Sequence, residues 1–205
     1  QRGLREMQSL ADISLALSET ERIGLSNVLH LIVKSAKDLI ANSEQAVIHL
    51  LNEKDQILVS EAVVGYTELE GGKRNIRLGE GVAGQAILSG ETINIADVRT
   101  DPRFLRLGVE PAYRSLLVTP VRSGEQKLGT ISIQSSRPYA FTPSDLKLLS
   151  QLGTQAAIAI ENANLLENTK QALKEANRRD EHDFGHHVLP KLKDTHRVFA
   201  YDFAT

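Results

Sequence analysis

Few residues in this chain have the type and spacing to do chemistry. Gly79-Glu-Gly-Val-Ala-Gly84 is a glycine-dense turn, the kind of backbone that can bring N–H groups close to a phosphate. The glycines between Gly65 and Gly90 contain neither Gly-x-x-x-x-Gly-Lys-Ser/Thr nor a strand-linked Gly-x-Gly-x-x-Gly, so a phosphate cradle has little support. Near the end of the chain, His182, His186 and His187 lie close to Asp183. A spacing of four would put His182 and His186 on one helix face, as a metal site requires. Gly185 between them weakens that helix, and the stretch reads as a solvated polar segment. There is no nucleophilic serine elbow. There is no cysteine, which excludes disulfides, thiolate zinc sites, iron–sulfur clusters and cysteine nucleophiles.

The elements that must position these residues follow from apolar periodicity. Leu4, Met7, Leu10, Ile13 and Leu17 recur at helical steps and predict a first helix. Leu25, Val28, Leu29, Ile32, Ala36, Leu39 and Ile40 predict a second. Ala46 to Leu51 and Gln56 to Val64 read as strands of a hairpin closed by Asn52-Glu-Lys-Asp55. Asn75 to Leu78 is a brief strand, and Val82 to Leu88 a short helix stopped by Gly90. Thr92 to Ile95 is extended, and Asp101-Pro102 starts a turn. Arg114 to Val121 and Lys127 to Gln134 form a second hairpin. Thr142 is placed to cap a last helix with Pro143 at its first position.

That last helix is long. Leu149, Leu152, Ala156, Ala159, Ala163, Leu166, Lys170 and Leu173 alternate three- and four-residue steps, the seam of a coiled coil. Ile158 and Leu165 lie off the seam and are free to face a sheet. The same spacing suits the core face of an amphipathic helix within the domain. Because the helix runs about thirty positions past Pro143 and its stripe needs a partner, a homodimer formed through the terminal helices is the expectation.

Hydrophobic residues make up 41% of the 205 and charged residues 24%, enough apolar content for a folded core. The formal charge of −2 gives no global attraction to nucleic acid or anionic lipid, and 4% aromatic residues leave little for a base-stacking surface. No apolar run approaches the ~20 residues that span a bilayer. The first residues lack a signal peptide's apolar core, and cytoplasmic residence is the expectation.

The segments resemble a GAF domain in their order. Helix and strand pair come first, then Gly79-Glu-Gly-Val-Ala-Gly84, Ile95-Ala-Asp97 and Asp101-Pro-Arg-Phe104. The strand pair with Pro120 and Leu128-Gly129, then Phe141-Thr142 and the final helix, complete the order. The resemblance runs from about Leu25 to Leu166. It implies an α+β fold: an antiparallel sheet of five or six strands, terminal helices on one face, and a ligand pocket on the other under the glycine-turn helix and its loop. That pocket would be bounded by Gly79–Leu88, Ile95–Phe104 and Tyr113–Thr119. Asp97, Arg103, Tyr113, Arg114, Ser115 and Thr119 would be its polar groups, with Phe104 an apolar wall. Asp97 and Asp101 suit turn caps equally well, and Arg103 a solvated position.

The resemblance also limits the ligand. Cyclic-nucleotide-binding members carry Asn-Lys-x-Phe-x-Asp-Glu, of which this chain shows only Asn52-Glu-Lys-Asp55. Bilin-carrying and methionine sulfoxide reductase members rely on cysteine, which is missing. Haem would want an axial ligand, yet His30 and His49 read as helix-surface and sheet-packing residues. No cofactor is assigned. Residues 182–203 resemble a short stretch of glucose-1-phosphate adenylyltransferase, without the glycine-rich nucleotide loop that would let it act.

The expected organisation is an N-terminal signalling helix over 1–24, a GAF domain over 25–168, a helical linker over 169–181 and an atypical tail over 182–205. The expected function is regulatory, not enzymatic. The module senses an unidentified small molecule and passes its state through dimeric terminal helices to an output domain such as a histidine kinase. The rivals are a ligand-free dimerisation module and a fragment joined to a nucleotidyltransferase.

Overall fold

A computed structural model of the chain describes residues 2–18, 23–65, 75–104 and 111–178. In order these form α1 (Arg2–Ser18), α2 (Leu25–Leu39), β1 (Gln45–Asn52), β2 (Ile57–Val64) and β3 (Ile76–Arg77). Then come α3 (Gly81–Ser89), β4 (Ile93–Ile95), β5 (Ser115–Ser123), β6 (Gln126–Ser135) and α4 (Pro143–Arg178). The six strands make one antiparallel sheet in the order β3-β2-β1-β6-β5-β4, so the α+β class and strand number agree with the expectation. The chain divides into two units, Gln1–Ile160 and Glu161–Thr205. The sheet lies wholly in the first.

Alternation along the strands sends their side chains to two faces. Ala46, Ile48, Leu117, Val121, Ile131 and Ile133 point to one face. They meet the buried stripe of α2, Val28, Leu29, Ile32, Val33 and Ala36, together with Leu149, Leu152, Ala156 and Ala159 of α4. Leu58, Leu116 and Val118 point the other way, into a second core with Val82, Ala83, Ala86 and Ile87 of α3 and with Ile95 and Val98. The start of α4 is fixed as its sequence predicts. Thr142 Oγ1 donates to Asp145 Oδ2 at 2.7 Å, the Thr142 N–H donates to the same oxygen at 2.9 Å, and the Leu146 N–H closes onto the Thr142 carbonyl at 3.1 Å.

The seam of α4 is used differently from the expectation. Leu149, Leu152, Ala156 and Ala159 are fully buried in the domain's own core, whereas Ile158 turns outward, 39% exposed. Small residues serve close approach to the sheet. A Cβ on Gly153 would already lie 3.2 Å from Thr119 Cγ2 and 3.4 Å from the Pro120 carbonyl. The first half of the seam is therefore unavailable to a second chain. In the second unit, Leu165 and Leu173 are exposed, as are Leu4 and Met7 on α1 of the first. Among the described residues no helix is long and apolar enough to cross a membrane. The histidine-rich segment 182–187 and the adenylyltransferase-like stretch lie outside the described residues.

The glycine turn is a tight backbone knot. The Gly79 N–H donates to the Gly84 carbonyl at 3.0 Å, and the Gly84 N–H donates to the Glu80 carbonyl at 3.1 Å. A Cβ at Gly84 would sit 2.5 Å from the Arg77 carbonyl oxygen and 2.9 Å from the Gly79 nitrogen. At the other end of α3, Gly90 takes the left-handed conformation, φ 73°, and its N–H returns to the Ala86 carbonyl. These two glycines set both ends of the helix that covers the second core. Gly84→Ala is expected to lower stability by about 1–3 kcal/mol through that backbone clash, measured by urea denaturation.

Candidate functional site

The described side chains named for a pocket divide by face. Leu116 and Val118 of β5 enter the second core, so Ser115 and Thr119, one residue out of phase, point to the helix face. Ser115 is fully buried and belongs to a structural latch. Its Oγ donates to the Ala96 carbonyl at 3.0 Å or the Arg137 carbonyl at 2.5 Å and accepts from the Ala140 N–H at 3.2 Å. Thr119 Oγ1 lies 2.8 Å from Thr92 Oγ1 and 3.4 Å from Ser150 Oγ of α4. Both hydroxyls thus sit on the side away from α3.

Asp97 and Arg114 are brought together as a two-pronged ion pair. Arg114 Nε donates to Asp97 Oδ1 at 3.0 Å, and its Nη2 donates to Oδ2. The Arg99 N–H adds a third bond to Oδ1 at 3.0 Å. The Arg114 guanidinium and then the Arg99 amide hold the Asp97 carboxyl down to about 2, from an ordinary 3.8. Asp97 also caps its turn, its carbonyl accepting from the Thr100 and Asp101 N–H groups at 3.1 Å. Arg103 is bound to Asp101 through Nε at 2.9 Å and Nη2 at 2.6 Å, which lowers the Asp101 carboxyl and raises the guanidinium. Phe104 and Tyr113 meet edge to face at 6.0 Å and pack against the second core.

Three residues absent from the expected site occupy the middle of the covered face. His49 on β1 stands directly opposite Thr130 on β6, with Ser60 of β2 on its other side. Gln134 lies four positions further along β6, opposite Leu116. His49, Thr130 and Gln134 are all buried, yet His49 Nδ1, Thr130 Oγ1 and Gln134 Oε1 make no hydrogen bond to another protein group. Each orphaned polar atom costs about 1–3 kcal/mol. Burial also pushes the His49 imidazole down to about 4 from 6.5, so it is neutral at physiological pH. The sequence signal is Thr130-Ile-Ser-Ile-Gln134, whose polar alternates share a face. In isolation such a pattern denotes a solvated face, and only the packing of α3 on β5 and β6 encloses it. Asn52-Glu-Lys-Asp55 is a self-contained turn, with Asn52 Nδ2 donating to Asp55 Oδ2 at 2.8 Å. Among the described residues no group of three or more His, Asp or Glu is placed to hold a metal ion.

Removing an orphan while keeping its shape should stabilise the protein. Thr130→Val is expected to raise unfolding free energy by about 1 kcal/mol in urea titrations of ligand-free protein. The two titrating groups act in different pH windows. Unfolded chains bind a proton at His49 that the folded protein refuses, so stability falls as pH drops from 6.5 to about 4, by up to about 3 kcal/mol. Asp97 contributes stability present above about 3.8 and lost as pH falls towards about 2. His49→Gln should therefore flatten stability between pH 6.5 and 4, and Asp97→Asn should flatten it only below that range.

A family model described as GAF domain matches residues 23–161. Among solved structures, the GAF domain of a phosphoenolpyruvate-protein phosphotransferase from Coxiella burnetii is 21% identical with a TM-score of 0.70, covering 82% of this chain and 99% of that one. The corresponding Acinetobacter domain is 23% identical with a TM-score of 0.67, covering 80% and 97%. A free methionine-R-sulfoxide reductase from Neisseria meningitidis, in complex with its substrate, is 20% identical with a TM-score of 0.66, covering 78% and 90%. No curated protein sequence matches the chain.

Proposed function

From the premise that this chain belongs to the GAF domain family over residues 23–161, a regulatory and sensor fold of signalling proteins, we propose that it is the small-molecule-sensing module of a cytoplasmic signalling protein. The observation that carries the reading is the set of unsatisfied polar atoms of His49, Thr130 and Gln134, buried on the α3 side of the sheet. Protein interiors satisfy the great majority of such groups, and a ligand supplying the missing partners recovers their cost. Phe104 and Tyr113 provide an aromatic edge to the same core. The Neisseria reductase held its substrate in a domain of similar fold, which supports small-molecule binding here. That relative is an enzyme; the regulatory reading rests on the absence of any cysteine or other nucleophilic constellation in this sequence. Haem and cyclic nucleotides are not favoured.

Ligand binding would favour one arrangement of the terminal helices. The exposed Leu4 and Met7 of α1, and Leu165 and Leu173 of α4, are the apolar positions through which a homodimer would pass that bias to an output domain such as a histidine kinase. Residues 1–24 would act as the signalling helix, 25–168 as the sensing domain and 169–181 as the linker, with 182–205 beyond it.

A second reading, a ligand-free dimerisation module, is favoured by the internal partners of Asp97, Arg103, Arg114, Ser115 and Thr119. Thermal denaturation against a metabolite library separates the two. A ligand held at a hundred times its dissociation constant adds about 2.7 kcal/mol of stability, and a hit lost in Thr130→Val supports sensing. No stabilisation by any compound supports the scaffold. Sedimentation tests the dimer: the wild type should be dimeric and Leu165→Glu with Leu173→Glu monomeric, while a monomeric wild type overturns the claim.

A further inference from the structure

The chemistry of the covered face restricts what it can hold. This inference rests on the sensing reading and names the ligand's class. Among the described residues no lysine or arginine is buried, and the buried carboxylates are Asp97 and Asp145. Asp145 caps α4 on the helix side. Asp97 takes both prongs of Arg114, so the one guanidinium joined to this buried carboxylate is already neutralised. The N-terminus of α3, the remaining backbone source of positive potential, carries Glu80 at its cap position. The groups of the central strands in want of a partner are the Thr130 hydroxyl, the His49 imidazole nitrogen and the Gln134 side-chain amide, none of them charged in the folded protein. Arg122 Nε on β5 is also buried without a partner, and that guanidinium is already paired through Nη2 with Glu125 at 3.2 Å.

An anion seated here would lose its hydration and gain no opposite charge, which is the expensive way to bury a charge. A neutral planar group with a donor and an acceptor on one edge meets the need. His49 and Thr130 are directly opposed across β1 and β6, with Cβ atoms about 4.5–5.5 Å apart, a separation that two hydrogen bonds to one amide edge can bridge. Neutral imidazole and hydroxyl each offer a donor and an acceptor. Leu58, Leu116, Val118, Val82 and Ile87 supply apolar surface on the same side. We propose that the ligand enters this face with an uncharged amide-type edge, as in a carboxamide, lactam or nucleobase, hydrogen-bonded between His49 and Thr130, and that carboxylates and phosphates are excluded from that position.

The test uses the full chain with 13C-labelled histidine, the His49 resonance being assigned by its loss in His49→Gln. Three matched pairs are titrated at pH 7: acetamide and acetate, benzamide and benzoate, nicotinamide and nicotinate. The size steps keep a small cavity from masking the result. At least one amide should shift the His49 signal with a dissociation constant at least tenfold below that of its carboxylate. Thr130→Val should weaken that amide about tenfold with unchanged circular dichroism. A carboxylate that shifts His49 as well as its amide, or better, overturns the charge class while leaving the face a ligand site. Amide binding unaffected by Thr130→Val overturns the assigned position. If no member of any pair moves the His49 signal, the inference is overturned, while the sensing reading is decided separately by the metabolite library. There, a stabilising compound whose effect survives in His49→Gln and Thr130→Val keeps sensing and places the ligand elsewhere.

Discussion

The central pair of strands, β1 and β6, has to be buried on both faces at once, and the rest of the structure follows from that constraint. A sheet with one solvated face needs only one apolar layer. Here the residues on one side of β1 and β6, Ala46, Ile48, Ile131 and Ile133, form an uninterrupted apolar row under α2 and α4. Their alternates, Val47, His49, Thr130, Ser132 and Gln134, are nearly as deeply buried but largely polar. The helix face therefore supplies hydrophobic stabilisation, and the other face carries groups whose burial costs free energy. A fold that tolerates this cost at its centre sets apolar and polar burial on opposite sides of the same two strands.

The corner between β4, β5 and the segment after β6 keeps the two sides in register. Ser115 ties the Ala96 and Arg137 carbonyls and the Ala140 N–H together on one side of β5. Beside it, Arg114 closes on Asp97, and the backbone follows, with the Val98 N–H donating to the Arg114 carbonyl at 2.8 Å and the Tyr139 N–H to the Ala96 carbonyl at 2.8 Å. A two-pronged ion pair of this kind has directional demands that a single charge contact lacks. It places Val98 in the second core and leaves Phe104 and Tyr113 along its edge. The polar residues of this loop thus act on the edge of the second core through the backbone they hold.

Much of the architecture was legible in the sequence because it depends on local period and local caps. The stripe of α2, the two hairpins, Thr142 before Pro143 and the glycine stops around α3 each act within a few residues, so pattern suffices to find them. The long helix shows where this fails. A seam of Leu149, Leu152, Ala156 and Ala159 describes an apolar face, and periodicity is silent on whether that face meets a second helix or the domain's own sheet. The sheet takes it, since alanine and Gly153 let α4 approach β5 closely.

The candidate site was legible only in part. The covering helix and the aromatic pair lie where the order of segments places them, but Asp97, Arg103, Ser115 and Thr119 already have partners, and the unsatisfied groups are on the central strands. By itself the sequence determined the class of fold, the sequence of its elements and the absence of thiol chemistry, because these follow from residue type and short-range spacing. Only the tertiary structure decided which polar side chains lose their water. Alternation in β6 marks a polar face; the docking of α3 across that face, an event between residues some forty positions apart in the chain, turns it from a solvated surface into a buried one.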